Sequence, residues 1–331
     1  MGIYRLILAV MVLLSHAGIT FAGYNEGVAA VVSFYLLSGF VMTALVAKHY
    51  ASLERLPFFL LDRAARIGPQ YYLWLAVSVG ALAAFRPPSQ AGTVVDAWGL
   101  LAHLCVVPLD VFMYLLPHRT YMPQAWSLGA EALFYAAFPF ILLLRARRAA
   151  AAASLGVFLI AVSGRIDTDI FGYRLLPGTL FIFLLGSFIY DGRGGRAPRW
   201  LAAAWLAAFA LFAAAGLTGR LALPYNKEVI AGLLIGLPAV WCLRRQPSGR
   251  LDALAGNLSY GVFLSHNAVI FALQGRGVDV AQPGWAAAVV LACCGLAYLS
   301  YALVEEPFLR LRRSLRAAPG PGRLQAEAPS S

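Results

Sequence analysis

The chain has 331 residues, of which 61% are hydrophobic and only 12% are charged, and its mean hydropathy is +0.73. Soluble domains carry roughly 45–50% apolar and about 25% charged residues. This composition excludes a soluble domain, a disordered chain, a collagen-like chain and a disulfide scaffold. It predicts an all-α fold, namely a polytopic bundle of transmembrane helices.

About ten apolar stretches follow one another along the chain, each close to the ~20 residues that a helix needs to cross the hydrocarbon core. They lie at 4–21, 28–47, 68–85, 126–144, 150–163, 175–190, 200–216, 228–243, 257–273 and 285–303. A further apolar piece at 94–116 contains His103, Pro108 and Asp110, which predicts a buried or re-entrant segment. We expect one transmembrane domain over residues 1–318 and a disordered cytoplasmic tail at 319–331, which is rich in Pro, Gly and Ala.

The formal net charge of +11 is distributed unevenly between the two sides of this predicted bundle. With ten spans, 19 of the 26 Lys and Arg residues fall on the side that holds both termini. The positive-inside rule therefore predicts that both termini are cytoplasmic. Because topology accounts for the charge, we expect no nucleic acid partner. The four cysteines have no metal-ligand spacing, so we expect no metal site.

Ionisable side chains inside membrane spans are costly, and they usually face a cavity or each other. In the first span, Arg5 and His16 are eleven positions apart, which places them on one helix face about 16 Å apart along the axis. Histidine is the one side chain whose unperturbed pKa lies near neutrality. The pair suits proton-transfer chemistry, but it also suits an anchoring arginine and a buried, hydrogen-bonded histidine.

A second group of charges precedes the third span, in a segment that we expect to be a loop. Arg63 and Arg66 are three positions apart and, with Arg5, could form a cytoplasmic patch that binds phosphate through bidentate hydrogen bonds. The alternative is ordinary anchoring at the membrane surface. Glu305 and Glu306, which end the tenth span, are expected to pair with this patch.

Further polar residues open the fourth and ninth spans. Trp126, Ser127 and Glu131 begin the fourth span from the outside, where a carboxylate must either be paired or bind a hydroxyl-rich acceptor. Both alternatives stay open. In the ninth span, Asn257 is expected to be a helix N-cap, and His266 a packing and hydrogen-bonding residue near mid-membrane.

Six short motifs, in this order and at these spacings, resemble the acyltransferase-3 family of bacterial integral-membrane acyltransferases. They are Arg5 and His16 with ten residues between them; Ser33-Phe34-Tyr35-Leu36-Leu37-Ser38-Gly39-Phe40; Arg63, Arg66, Ile67 and Pro69; Trp126-Ser127-Leu128 with Glu131; Asn257 to Tyr260 with His266; and Ser300-Tyr301 with Glu305, Pro307 and Phe308.

The resemblance implies an O-acyltransferase in the bacterial cytoplasmic (inner) membrane. Its donor substrate would be cytoplasmic acyl-coenzyme A, with acetyl-coenzyme A expected and no permanently bound cofactor. Its acceptor would be a sugar hydroxyl of an envelope polysaccharide, a lipid-linked sugar or a glycoside, and polysaccharide-synthesis machinery is a further expected partner. Arg5, Arg63 and Arg66 would bind coenzyme A phosphates, and His16 would act as the general base. Substrate binding or structural support would fall to Trp126, Ser127, Glu131, His266 and Glu305.

Two other classes of function remain as alternatives. A non-catalytic transporter or flippase for glycans or lipids predicts polar lines through both leaflets and often inverted repeats, and the sequence shows no such repeat. A structural partner of a polysaccharide synthase predicts that replacing His16 would be harmless.

Overall fold

The computed structural model describes residues 1–247 and 249–309, and in this part of the chain the fold consists of helices without any β-strand. The predicted tail at 319–331 and the last residues of the predicted 1–318 domain lie outside the described residues. The helices are α1 (Gly2–His16), α2 (Glu26–His49), α3 (Leu56–Phe85), α4 (Ala97–Cys105), α5 (Phe112–Leu115), α6 (Trp126–Leu143), α7 (Arg147–Val162), α8 (Leu176–Asp191), α9 (Arg199–Leu217), α10 (Asn226–Leu243), α11 (Arg250–Gln274) and α12 (Pro283–Ser300).

Six helical segments of the described residues are long and apolar enough to cross a membrane. They are Glu26–His49, Pro123–Leu143, Ile170–Gly194, Arg199–Leu217, Asn226–Leu243 and Pro283–Leu309. Helix α1 is apolar but has only 15 residues. The protein is therefore an all-helical, multi-pass membrane protein.

The segment expected to be buried or re-entrant is broken in the middle. The helices Ala97–Cys105 and Val107–Leu115 meet at an angle of 112°. The bend lies at Val106, whose φ of 63° is unusual for a β-branched residue. His103 and Asp110 are both buried. The break confirms that residues 94–116 do not form one straight span.

Two helix starts differ from the sequence prediction. Helix α3 begins with a proline in its first turn and runs through Arg63 and Arg66, so these arginines lie in a helix rather than in a loop. Helix α11 begins at Arg250, which places Asn257 in the helix interior, and the N-cap prediction for it was wrong. In the first turn of α11, Asp252 accepts a hydrogen bond from the Ile3 amide at 3.0 Å. A carboxylate at this end of a helix interacts favourably with the helix dipole.

Helix α1 packs against both α2 and α11. Helices α2 and α8 approach most closely at two glycines. A Cβ atom on Gly39 would lie 1.7 Å from the Phe183 carbonyl oxygen, and one on Gly186 would lie 1.9 Å from that of Leu36. Because only glycine fits, Gly39 fixes the position of α2 and therefore of its neighbour Ser38.

Candidate active site along helix α1

Three cavities lie in series beside α1. The first, which we call the entrance cavity, has a volume of about 430 Å³ and is lined by Arg5, Arg66 and Asn257 among others. The second, the arginine cavity, has about 170 Å³ and is lined by Arg5, Arg63, Arg66 and Glu131. The third, the histidine cavity, has about 330 Å³ and contains His16.

Neighbouring cavities share wall residues. Arg5 and Arg66 line both the entrance and the arginine cavity. Ser127 and Phe263 line both the arginine and the histidine cavity. The shared residues place the three cavities next to one another, from the start of α1 to its end.

The structure brings the three predicted arginines to one cavity, and each has a different environment. Arg66 forms an ion pair with Glu305, as the sequence predicted, and its guanidinium lies 5.0 Å from the centre of the Tyr260 ring. The second oxygen of Glu305 accepts a hydrogen bond from Gln70 at 2.7 Å. Glu305 is buried, so this network fixes Arg66 in the cavity wall.

Arg63 is more deeply buried than the sequence indicated. It forms an ion pair with the fully buried Asp62. Its guanidinium lies 6.0 Å and 5.8 Å from the ring centres of Phe59 and Tyr135, at a distance where cation–π attraction operates. Arg63 is therefore held by the interior of the protein as well as facing the cavity.

Arg5 differs from the other two arginines. Within residues 1–247 and 249–309 it forms no ion pair with a carboxylate, and its buried Nε has no hydrogen-bond partner. It also lines the boundary between the entrance and the arginine cavity. A guanidinium with unused donors suits the bidentate binding of phosphate. Arg5 is thus the arginine most available to an anionic ligand.

Glu131 lines the arginine cavity, not the histidine cavity. Its carboxylate accepts hydrogen bonds from Ser38 Oγ, at 2.8 Å, and from the hydroxyl of Tyr135. The sequence left open whether Glu131 pairs with a buried basic residue or binds an acceptor. In the described structure it accepts hydrogen bonds from two hydroxyl groups and forms no ion pair. It lines the same cavity as the three arginines that are predicted to bind the donor.

His16 ends α1 and lines the histidine cavity. Its Nδ1 lies 2.9 Å from the carbonyl oxygen of Val12. A carbonyl only accepts, so we assign the proton to Nδ1, which leaves Nε2 with a free lone pair. This tautomer is the one that can accept a proton at Nε2.

His266 lies behind His16, with their ring centres 4.9 Å apart. It is fully buried and lines none of the three cavities. Asn267 Nδ2 lies 3.1 Å from His266 Nε2 and donates to Gln124 Oε1 at 2.5 Å, while Gln124 Nε2 donates to the Leu264 carbonyl at 2.9 Å. The arrangement fits the packing and hydrogen-bonding position predicted for His266.

The first two residues of the motif at the start of α6, Trp126 and Ser127, contact different neighbours. Trp126 packs against the Arg174 guanidinium, which lies 4.6 Å from a Trp126 ring centre. Ser127 Oγ donates to the Gln124 carbonyl at 3.1 Å. Sequence reasoning missed Gln124 and Arg174 as wall residues of the histidine cavity, because neither belongs to one of the six motifs.

Apolar helices that enclose neighbouring cavities, basic at one end and holding a histidine at the other, are features of a membrane enzyme that handles a polar substrate within its bundle. The family described as "Acyltransferase domain" (Acyl_transf_3) matches residues 3–305, nearly the whole chain. The protein therefore belongs to this acyltransferase family, and it is an enzyme that transfers acyl groups other than aminoacyl groups.

Two relatives among curated proteins extend this comparison. The "Exopolysaccharide production protein ExoZ" of Rhizobium meliloti (strain 1021) is 29% identical over 315 residues, which cover 90% of this chain and 94% of ExoZ. An "Uncharacterized protein" of Aquifex aeolicus (strain VF5) is 29% identical over 206 residues, 59% of this chain and 90% of the relative. No solved structure matches the chain.

Proposed function

We propose that the protein transfers an acyl group, acetyl being expected, from acyl-coenzyme A to a sugar hydroxyl of an exopolysaccharide or its precursor. The name of ExoZ, which refers to exopolysaccharide production, supports this class of acceptor. The observation that carries the proposal is the series of cavities, which joins a cluster of arginines to an imidazole with a free lone pair. Family membership favours this enzyme over the non-catalytic transporter and the structural partner.

The donor would enter through the entrance cavity. Arg5, with unused donors, would bind its phosphates, and Arg66 would add a second cation beside them. The pantetheine arm would then extend along α1 through the arginine cavity. The distance from Arg5 to His16, about 16 Å of helix rise, is similar to the reach of that arm. The thioester would arrive beside His16.

The chemical step needs a base first and a proton donor afterwards. His16 Nε2 takes the proton of the acceptor hydroxyl as its oxygen attacks the thioester carbonyl carbon. A C–O bond forms and the C–S bond breaks. The imidazolium then gives the same proton to the leaving thiolate, so that an ester and free coenzyme A thiol are released. No other reactant is required.

We further propose that ten helices cross the inner membrane with both termini in the cytoplasm. The ten helices α1, α2, α3 and α6 to α12 correspond to the ten apolar stretches of the sequence. A cysteine at Arg147 or Arg196 should then resist a membrane-impermeant thiol reagent in intact cells, and one at Arg220 should react. Reaction at both Arg147 and Arg196 would contradict this topology.

The function is tested with purified protein in detergent. Acetyl-coenzyme A should raise the melting temperature, and incubation with acetyl-coenzyme A and a glycoside should give an acetylated product detected by mass spectrometry. The exopolysaccharide of cells that lack the gene should lose the same acyl substituent. Absence of both stabilisation by the donor and product formation would refute the proposal.

A further inference from the structure

The histidine cavity has an unusual charge for a sugar-binding site. Among the described residues, five neutral polar side chains and five aromatic rings line it, and no carboxylate does. These polar and aromatic residues are Ser15, Asn25, Thr120, Gln124 and Ser127, with Phe112, Trp126, Tyr173, Tyr225 and Phe263. Within residues 1–247 and 249–309, the one permanently charged group that lines this cavity is the guanidinium of Arg174.

Arg174 ends a π-helical turn, Ile170–Arg174, that connects α7 to α8. Its Nε donates to Asp169 Oδ1 at 2.7 Å, and its guanidinium lies 4.6 to 5.9 Å from the ring centres of four aromatic side chains. The side chain of Arg174 is 14% exposed and that of Asp169 is 34% exposed. The ion pair and the rings together hold a largely buried cation in a fixed orientation.

Both terminal amino groups of Arg174 remain available. In the part of the chain that the structure describes, neither donates a hydrogen bond to a protein atom. A guanidinium oriented by a carboxylate at Nε, with two amino groups unused, can bind two oxygen atoms of one planar anionic group. The protein stabilises this cation without using its remaining donors.

Binding of a neutral sugar does not require an arginine with two unused amino groups. Sugar hydroxyls donate as well as accept, and a carboxylate is the strong acceptor for them. The two unused amino groups of Arg174 offer positively charged donors on this wall, and such donors favour an anionic group. We propose, on the basis of the function proposed above, that Arg174 binds a carboxylate of the acceptor and so selects an acidic sugar unit.

A carboxylate fits better than a phosphate. Arg174 is a single cation, already partnered by Asp169, and a phosphate monoester carries more negative charge than a carboxylate. The arginine cavity, at the other end of α1, contains three arginines. The ligand of the histidine cavity is therefore a group of one negative charge.

The test compares matched acceptors with the purified protein and acetyl-coenzyme A. We expect kcat/KM to be about 10- to 100-fold higher for nitrophenyl glucuronide than for nitrophenyl glucoside, as befits one hydrogen-bonded charge. Arg174→Gln should remove this difference by raising KM for the glucuronide alone. Arg174→Lys should retain part of it, because it keeps the charge and loses the planar fork. Arg165→Gln, a matched change at an exposed arginine of the same connection, should retain all of it.

Each contrary result has its own meaning. Equal use of glucuronide and glucoside by the unmodified protein overturns the proposal, even if Arg174→Gln fails to fold. An equal loss of kcat for both acceptors in Arg174→Gln also overturns it, since that is the mark of transition-state stabilisation. A higher kcat/KM for a glycosyl phosphate than for the glucuronide overturns the carboxylate as the group that Arg174 selects. His16-dependent acylation of the glucoside without any preference overturns only the role of Arg174, whereas no acylation of any acceptor overturns the function itself.

Discussion

The arginine cavity and the histidine cavity are lined by the same helix, yet their walls hold different numbers of cations. At the first, two of the three arginines are neutralised by buried carboxylates, Asp62 and Glu305. At the second, Arg174 is the one arginine among the described lining residues, Asp169 is paired with it, and the histidine lies among aromatic and neutral polar side chains. The difference agrees with the proposed function, in which the first cavity binds the phosphates of the donor and the second positions the acceptor for the reaction.

The largest expected effect is on turnover at the histidine cavity. His16→Ala should lower acyl transfer by about 100- to 10,000-fold, the contribution of general acid–base catalysis. Donor affinity should change little, because Arg5 and Arg66 lie at the other end of the series of cavities. The measurement is product formed per amount of folded protein, with donor binding assayed in parallel. Retention of more than about a tenth of turnover would remove His16 from catalysis.

His266→Ala is the matched control for that experiment. It removes a ring of the same kind that contacts His16 but lies outside the cavities. We expect the loss to fall on thermal stability and on the amount of folded protein. An equal loss of turnover per folded protein in both variants would mean that the two rings act as one catalytic unit.

At the other end of α1, the effect should fall on donor affinity. Arg5→Gln should weaken acyl-coenzyme A binding by about 10- to 100-fold, because hydrogen bonds to a charged group contribute roughly 1.5–3 kcal/mol. Turnover at saturating donor should stay close to normal. Measuring Kd and kcat in the same preparation checks this, and an unchanged Kd would reduce Arg5 to an anchoring residue.

The two paired arginines should differ from Arg5 and from each other. Arg66→Gln should weaken donor binding by a smaller factor, because Glu305 already occupies part of its guanidinium. Arg63→Gln should mainly lower the melting temperature and the folded amount, since breaking a buried ion pair costs about 3–5 kcal/mol. If Arg63→Gln folds normally and binds the donor ten times more weakly, then Arg63 contacts the phosphates directly.

An exposed ion pair outside both cavities provides the smallest expected effect. Asp96 precedes α4, and the hydrogen bond from the Gly99 amide, followed by the one from Arg119, lowers the pKa of its carboxyl. The stabilisation should be complete at pH values above the ordinary aspartate range and disappear as the pH falls through the lowered pKa. The melting temperature of Asp96→Ala should therefore lie slightly below that of the unmodified protein at neutral pH and converge with it in strong acid. A constant difference at all pH values would contradict the role of the charge.

Sequence reasoning succeeded where local geometry or charge pairing was sufficient. The eleven-residue spacing placed Arg5 and His16 on one helix face, and the acidic end of the tenth span identified Glu305 as a partner of the arginine patch. The predicted start of α3 was wrong because the charged segment before the apolar stretch at 68–85 was interpreted as a loop. The helix continues through them because Asp62 and Glu305 neutralise the arginines.

The contacts that the sequence did not predict are those between distant helices. The approach of α2 to α6, which puts Ser38 next to Glu131, joins residues 93 positions apart. The contact of His16 with His266 spans most of the chain. Residue type and spacing do not define such neighbours, because they depend on how whole helices pack. Arg174 was missed as a wall residue of the histidine cavity for the same reason.

The most direct test asks whether the thiol end of the donor reaches the boundary between the two cavities. In a protein whose four native cysteines are replaced by alanine, Ser127→Cys places a thiol in the shared wall. Coenzyme A and a mild copper oxidant should then give a mixed disulfide, seen as a mass increase. Adding Arg5→Gln should reduce its yield, and Ser163→Cys, on an exposed turn, should give little. Equal yields at both cysteines, or none at Ser127→Cys while coenzyme A binds, would contradict a donor extended along α1.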